Sequence, residues 1–311
     1  MSRRFKILSL DGGGIKGFFS AAVLAHLEND FNIKIVDYFD LIVGTSTGGI
    51  IALALGKGLS ANEILNFYIK DGPEIFKKDN FQGLKHLITV AYSSDRYERI
   101  LKKCLGDTLL GHSKIRLVVP SYNLDTGEVY LFKTAHHERF RRDYKEYMWK
   151  VARATSAAPT YFEVSKNIDS SRLIDGGVWA NNPSMVAIVE AITILGQTID
   201  DLYLFNLGTT QELSNRPQIL DKGGLWAWKN DIVEVAFEAQ SAGIASQMGL
   251  LLGNNYLRLC PKVPQDIFKL DAIDETKLRG LSGSESRKIA PKIKEMFLNE
   301  KADAFEPLLK L

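Results

Sequence analysis

A serine stands between glycines in Gly44-Thr45-Ser46-Thr47-Gly48, directly after the apolar run Phe39-Asp40-Leu41-Ile42-Val43. A strand that ends in G-x-S-x-G and turns straight into a helix presents its serine on a sharp corner. Gly44 and Gly48 suit that corner because the backbone folds tightly there and the helix packs close to the strand. Ile50-Ile51-Ala52-Leu53-Ala54-Leu55 supplies the buried helix. A serine hydroxyl is a weak nucleophile, so acyl transfer at Ser46 demands a base and a set of donors for the developing oxyanion. Asp11-Gly12-Gly13-Gly14 offers the donors. Consecutive glycines at a helix N-terminus turn bare amides toward one point, and the helix dipole adds positive potential there. Each well-placed donor contributes about 3 kcal/mol to such a transition state.

The same loop, Gly12-x-Gly14-x-x-Gly17, also fits the dinucleotide fingerprint, and Asp37 follows at the distance of a ribose-binding acid. An NAD-binding oxidoreductase is therefore a rival. Against it, Asp11 would set a negative charge beside the pyrophosphate, and the next strand delivers a serine in place of cofactor contacts. The pairing of loop and serine decides for an oxyanion hole. For the base, the chain has five histidines, His26, His86, His112, His136 and His137, none in a strand-end context. His26 reads as a helix-surface or core-edge residue, and His136-His137 as part of a solvated, charged helical stretch. Asp175 is the better candidate. It ends the strand Arg172-Leu173-Ile174, precedes Gly176-Gly177, and could face Ser46 from a neighbouring parallel strand. Taken alone, Asp-Gly-Gly is an ordinary turn. An aspartate is a weak base in water, so burial or positioning must compensate.

These groups meet only if strands deliver them to one edge. Strands are expected at Phe5 to Leu10, Phe39 to Val43, Ile115 to Val119, Val129 to Phe132, Arg172 to Ile174, Leu202 to Leu207 and Tyr256 to Leu259, with a short extended segment at Ile33 to Val36. Helical patterns fall at Ile15 to Asn29, Ala61 to Lys70, Tyr97 to Leu105, Met148 to Thr155, Pro183 to Leu195 and Lys288 to Leu298. Alternating strands and helices argue for an α/β fold with a mainly parallel sheet. At 311 residues and 45% hydrophobic content the chain can bury a large core, and it reads as one decorated domain. The motif-bearing part is 5–210, and residues 211–311 are expected to pack on it. A net charge of +2 argues against binding DNA or RNA by bulk electrostatics. The two cysteines, Cys104 and Cys260, suggest neither a disulfide framework nor a metal site. Neither a leader-like N-terminus nor a long apolar run is present, so a cytoplasmic protein is expected.

Four blocks stand in order: Asp11-Gly12-Gly13-Gly14-Ile15-Lys16-Gly17, Gly44-Thr45-Ser46-Thr47-Gly48-Gly49, Ala152-Arg153-Ala154-Thr155-Ser156-Ala157-Ala158-Pro159-Thr160-Tyr161-Phe162 and Asp175-Gly176-Gly177, with Asn181-Asn182-Pro183 following. Together they resemble the patatin-like phospholipase family over roughly Phe5 to Thr210. The resemblance implies a three-layer α/β/α fold, a Ser-Asp dyad and hydrolysis of acyl esters in membrane lipids, without a cofactor. Carried over, Ser46 is the nucleophile, Asp175 the base, and the Gly12-Gly13-Gly14 backbone the oxyanion hole. Gly44, Gly48 and Gly176 are the supporting glycines. The family's usual arginine in the first block is Lys16 here, which keeps the charge and loses the bidentate fork. The Ala-Thr-Ser-Ala-Ala-Pro block reads as packing beside the site, and Asn255-Tyr256-Leu257-Arg258 resembles a late patatin strand.

A lipase of this kind meets a phospholipid membrane surface peripherally. The segment Asp71 to Arg99, with Phe76, Phe81, Leu84, Leu87, Ile88 and Tyr92 among Lys77, Lys78, Lys85 and Arg96, is either an interfacial helix or lid, or a plain surface helix. Arg139-Phe140-Arg141-Arg142 is a second basic and aromatic patch, which reads as a solvated helix face, with a lipid or nucleotide contact as the alternative. The chain also resembles bacterial patatin-like effectors of cyclic-oligonucleotide antiviral signalling, which implies a cyclic dinucleotide activator and is compatible with a homo-oligomer. Trp226 and Trp228, with Lys222 and Lys229, are candidate base-stacking and phosphate contacts, and buried tryptophans are the competing explanation. Other readings of the whole are a general carboxylesterase for small esters and a non-catalytic storage or scaffold protein.

Overall fold

A computed structural model describes residues 3–77, 90–212, 218–224, 228, 232–264, 268–269, 272–273 and 275–311. Its strands are β1 (Phe5–Leu10), β2 (Leu41–Gly44), β3 (Arg116–Asn123), β4 (Glu128–Lys133), β5 (Leu173–Asp175), β6 (Leu202–Leu207), β7 (Gln211–Glu212), β8 (Tyr256–Leu259), β9 (Lys262–Val263), β10 (Phe268–Lys269) and β11 (Ala272–Ile273). Its helices are α1 (Gly17–Phe31), α2 (Thr47–Lys57), α3 (Ala61–Lys70), α4 (Gly72–Ile75), α5 (Ser94–Leu105), α6 (Met148–Thr155), α7 (Gly177–Ala180), α8 (Ser184–Thr193), α9 (Ile232–Leu252) and α10 (Glu275–Phe297). The central sheet runs β4-β3-β2-β1-β6-β8, with β5 added beside β3. The β1–β2, β1–β6, β2–β3 and β6–β8 pairs are parallel, while β4 and β5 lie antiparallel to β3.

The strands are apolar on both faces because both faces are covered. Ile7, Leu41, Val43, Leu202 and Leu204 pack toward Ala187 and Ile188 of α8 and Met248 of α9. Their neighbours Leu8, Leu10, Ile42, Phe205 and Leu207 face the opposite cluster, with Phe18 and Leu24 of α1 and Ile51 of α2. The two-residue alternation of a strand thus divides one sequence between two cores. Each fully buried Leu or Ile contributes about 1.5–3 kcal/mol. The expected three-layer α/β/α fold with a mainly parallel sheet is the fold observed.

Local chemistry sets several boundaries. Ser60 caps α3 by accepting from the Glu63 amide, and Glu63 returns a bond to the Ser60 amide. Gly58, at φ 99°, ends α2 in the left-handed region that favours glycine. α10 packs on α1, with Leu278, Ile289, Ile293 and Phe297 buried, and Phe297 stacks on Phe39 at 5.5 Å between ring centroids. Beyond it the chain crosses beneath the sheet. Ala302 donates to Asp37 O at 2.8 Å, and Leu308 donates to Ala135 O at 2.8 Å.

Some elements differ from expectation. Only part of Ile33 to Val36 is extended: Lys34 has extended backbone, and Ile35–Asp37 forms a turn of 3-10 helix. The segment holding His136 and His137 is not helical, and His136 is buried, bonded to Thr134 Oγ1 and Glu190 Oε1 at 2.8 Å each. Phe140 packs on the His136 ring at 5.0 Å, so the neighbouring arginine-rich stretch is a loop folded over that histidine. α10 begins thirteen residues before the expected Lys288, and α9 was not foreseen at all.

Candidate active site

Ser46 lies at the turn between β2 and α2 with φ 54° and ψ −121°, a backbone strained for any residue other than glycine. The turn admits no bulk beside it. A Cβ on Gly44 would stand 2.2 Å from Gly48 O, and one on Gly48 would stand 2.3 Å from Leu10 O. Thr155, from the alanine-rich block at the end of α6, accepts the Ser46 amide at 3.0 Å and donates to Pro120 O. That block therefore grips the serine's backbone as well as filling space, a role that composition alone did not reveal. Thr45 Oγ1 donates to Ala180 O at 2.6 Å and ties the corner to α7.

Ser46 Oγ donates to Asp175 Oδ2 at 2.7 Å, and Gly177 N donates to Asp175 Oδ1 at 2.7 Å. Asp175 arrives differently from the expected route. It ends the three-residue strand β5, antiparallel to β3, with Ser121 as its register partner. The Asp175 amide is pinned on Ala157 O and the Gly176 amide on Thr155 O, so the alanine-rich block aligns both members of the pair. Gly176 passes so near Pro120 that a Cβ would stand 2.3 Å from its carbonyl oxygen. Asp175 is 2% exposed, and burial pushes its carboxyl up to about 7 against the pull of the Gly177 amide and the Ser46 hydroxyl. A carboxyl poised near neutrality can accept and return a proton at physiological pH.

The glycine loop lies beside this pair. A Cβ on Gly12 would stand 3.4 Å from Ser46 Cβ, and Gly14 has φ 57°. The Gly12 amide already donates to Asn181 O at 2.9 Å, so only Gly13 and Gly14 of the three are left to meet an oxyanion through their amides. Lys16, at the cavity's rim, pairs with Glu212 of β7 at 3.0 Å. Asp37 precedes β2 and pairs with Lys301, at the end of the sheet away from the glycine loop. It cannot serve as a ribose-binding acid there, and the NAD-binding oxidoreductase reading falls.

A cavity of about 970 Å³ opens over Ser46 and Asp175. One part of its wall is apolar, formed by Ile50, Phe67, Ile75, Phe76 and Phe162. Tyr97 donates to Ser156 Oγ at 2.6 Å deep in this wall, and Tyr68 meets Thr47 there. Phe237 and Glu238 of α9 also line the cavity. Of the segment 71–99, Phe81, Leu84, Leu87, Ile88, Lys78 and Lys85 lie outside the described residues, as do Trp226 and Lys229. Phe76 instead belongs to the wall, and buried Tyr92 packs on it edge to face at 5.3 Å between ring centroids. Trp228 donates to Leu220 O at 3.2 Å, and Lys222 is exposed.

Residues 8–188 match the family model described as patatin-like phospholipase. The chain belongs to the patatin-like phospholipase family. Among curated relatives it is 32% identical over 279 residues to the cGAMP-activated phospholipase of Pseudomonas aeruginosa, covering 88% of this chain and 84% of that protein. It is 37% identical over 235 residues to the protein of the same name from Escherichia coli, covering 70% and 66%. The protein of that name from Vibrio cholerae is 31% identical, covering 92% of this chain and 90% of its own. This patatin-like chain has no helix among its described residues long and apolar enough to cross a membrane.

Proposed function

We propose that the protein hydrolyses acyl esters of membrane phospholipids with Ser46 as nucleophile and Asp175 as base. The observation that carries this reading is the 2.7 Å bond from Ser46 Oγ to a buried carboxylate at the mouth of a large, partly apolar cavity. Asp175 takes the hydroxyl proton as Oγ attacks the acyl carbonyl, and the Gly13 and Gly14 amides receive the oxyanion. Collapse of the tetrahedral intermediate expels the glycerol oxygen, which takes the proton back from Asp175. Water then attacks the acyl-serine by the same route and releases a fatty acid. The apolar wall accommodates the chain of that acid, and a cavity of this volume exceeds the needs of a small soluble ester.

The description of three relatives as cGAMP-activated phospholipases supports a further element of the proposal, that binding of a cyclic dinucleotide switches the hydrolase on; its place in antiviral defence, at the surface of a membrane, is carried over from the resemblance read in the sequence. Fatty acid release from phospholipid vesicles, with and without cyclic dinucleotides, tests the whole proposal. An interfacial enzyme turns over vesicles faster than a monomeric short-chain ester. Equal rates on both would favour a general carboxylesterase. If no cyclic dinucleotide alters rate or melting temperature, the activation element is wrong.

A further inference from the structure

The loop that carries Gly13 and Gly14 begins at Asp11, a carboxylate that acyl transfer does not use. Asp11 is 3% exposed, and three elements converge on it. Its Oδ1 accepts from Asn206 Nδ2 at 2.7 Å. Its Oδ2 accepts from Arg258 Nη1 at 2.8 Å and from Ser241 Oγ at 3.3 Å. Arg258 also reaches Asn206 Oδ1 and, through Nη2, Ser241 Oγ at 3.4 Å. Thus β6, β8 and α9 meet on one carboxyl group. Buried ion pairs seldom add much net stability, because desolvation offsets their attraction; what this one holds is more telling. Asp11 N is fixed on Leu207 O at 3.1 Å and Gly12 N on Asn181 O at 2.9 Å. Side chain and main chain are therefore both pinned immediately before the two glycines. On the far side, α9 also receives the Asn182 amide at Gln240 Oε1, 3.1 Å away.

We propose that Asp11 and Arg258 are positioning residues: their clamp aims the Gly13 and Gly14 amides at the carbonyl site of Ser46 and, through Ser241, ties that aim to the seating of α9. The inference rests on the acyl-hydrolase reading of Ser46. A displacement of such donors by about 1 Å is enough to cost up to about a hundredfold in rate. Because α9 also lines the cavity through Phe237, any shift of this helix reaches the amides through the shared carboxylate.

Two variants test the clamp. Arg258→Lys keeps the charge and loses the fork. The double variant Asp11→Asn with Arg258→Met removes both charges, so neither remains buried without a partner. A fluorophosphonate that labels Ser46 counts competent sites, and its labelling rate depends on the oxyanion donors without any lipid. Both variants should label to the wild-type stoichiometry. Labelling rate and kcat per labelled site should fall together by about 10- to 100-fold, with KM within about threefold of wild type. The double variant should show the larger loss. An unchanged kcat per labelled site in the double variant overturns the proposal, as does lower stoichiometry with each remaining site fully active. Should the wild type label but release no fatty acid from vesicles, the phospholipase reading fails, while the labelling rates still decide the clamp.

Discussion

On the proposed mechanism, Asp175 combines the role of base with a cost to stability in one side chain. Its carboxyl is raised from 3.8 to about 7 by burial. Such a group stabilises the fold while protonated. That contribution is complete below about pH 4 and is lost as pH rises through about 7. Activity should therefore climb with an apparent pKa near 7 in the pH profile of kcat/KM, where the base becomes ionised. In Asp175→Asn, kcat should fall by about three to four orders of magnitude, because the amide cannot take the proton. The same variant should melt at or above the wild-type temperature at pH 8, with the difference vanishing near pH 4.5, as read by calorimetry. A wild type that is more stable than the variant at pH 8 would contradict the buried, raised carboxyl. Gly48→Ala is expected to destabilise by about 3 kcal/mol or more, since its methyl would meet Leu10 O at 2.3 Å; chemical denaturation measures it.

Among the elements, the cluster joining β4 to α8 shows how polar groups are handled away from the site. Glu190 accepts from His136 at 2.8 Å and from Lys133 Nζ at 2.5 Å, and burial lowers the pKa of His136. Glu190→Ala would strand the lysine charge in a half-buried place, and a loss of about 3 kcal/mol in denaturant unfolding is expected. This histidine also shows where the sequence misleads. Two adjacent histidines among charged residues look solvated, and only tertiary packing sets one of them on Glu190. The regular elements were legible. β1, β6, β8, α3 and α6 lie where the sequence pattern puts them, because their buried faces are apolar in the ordinary way. Helix α9 escaped notice because its pattern is inverted. Gln240 and Ser241 bond inward to the site, while Leu250 and Leu251 face outward, Leu250 at 87% exposure. α10 was hidden in part by Gly280, Ser282 and Gly283, yet Gly283 is where the helix passes His26 of α1. That Ser46, Asp175 and the glycine loop lie side by side agrees with the motifs. What could not be read was that Asp175 comes from a short antiparallel strand, that Thr155 holds Ser46, and that Gly12 has already given its amide to Asn181.

Across the whole molecule, the parallel strands end on one edge, and the glycine loop, Ser46 and the clamp on Asp11 all follow from that arrangement. The opposite edge is bound by the C-terminal stretch. Buried Lys6 donates to Phe297 O at 3.2 Å and to Glu300 O at 2.5 Å, and Phe305 stacks under Arg116 at 5.2 Å. Ending the chain after Phe297 should leave the Ser46–Asp175 hydrogen bond in place but lower the melting temperature by roughly 5–10 °C, as one of the Lys6 acceptors and the strap's backbone bonds are lost. The measurement that tests the central claim most directly is fatty acid release from phospholipid vesicles by wild type and Ser46→Ala at matched melting temperature, followed by mass spectrometry. Release by the wild type that disappears in Ser46→Ala is the predicted result. Equal release from both proteins would place the nucleophile elsewhere and contradict the account.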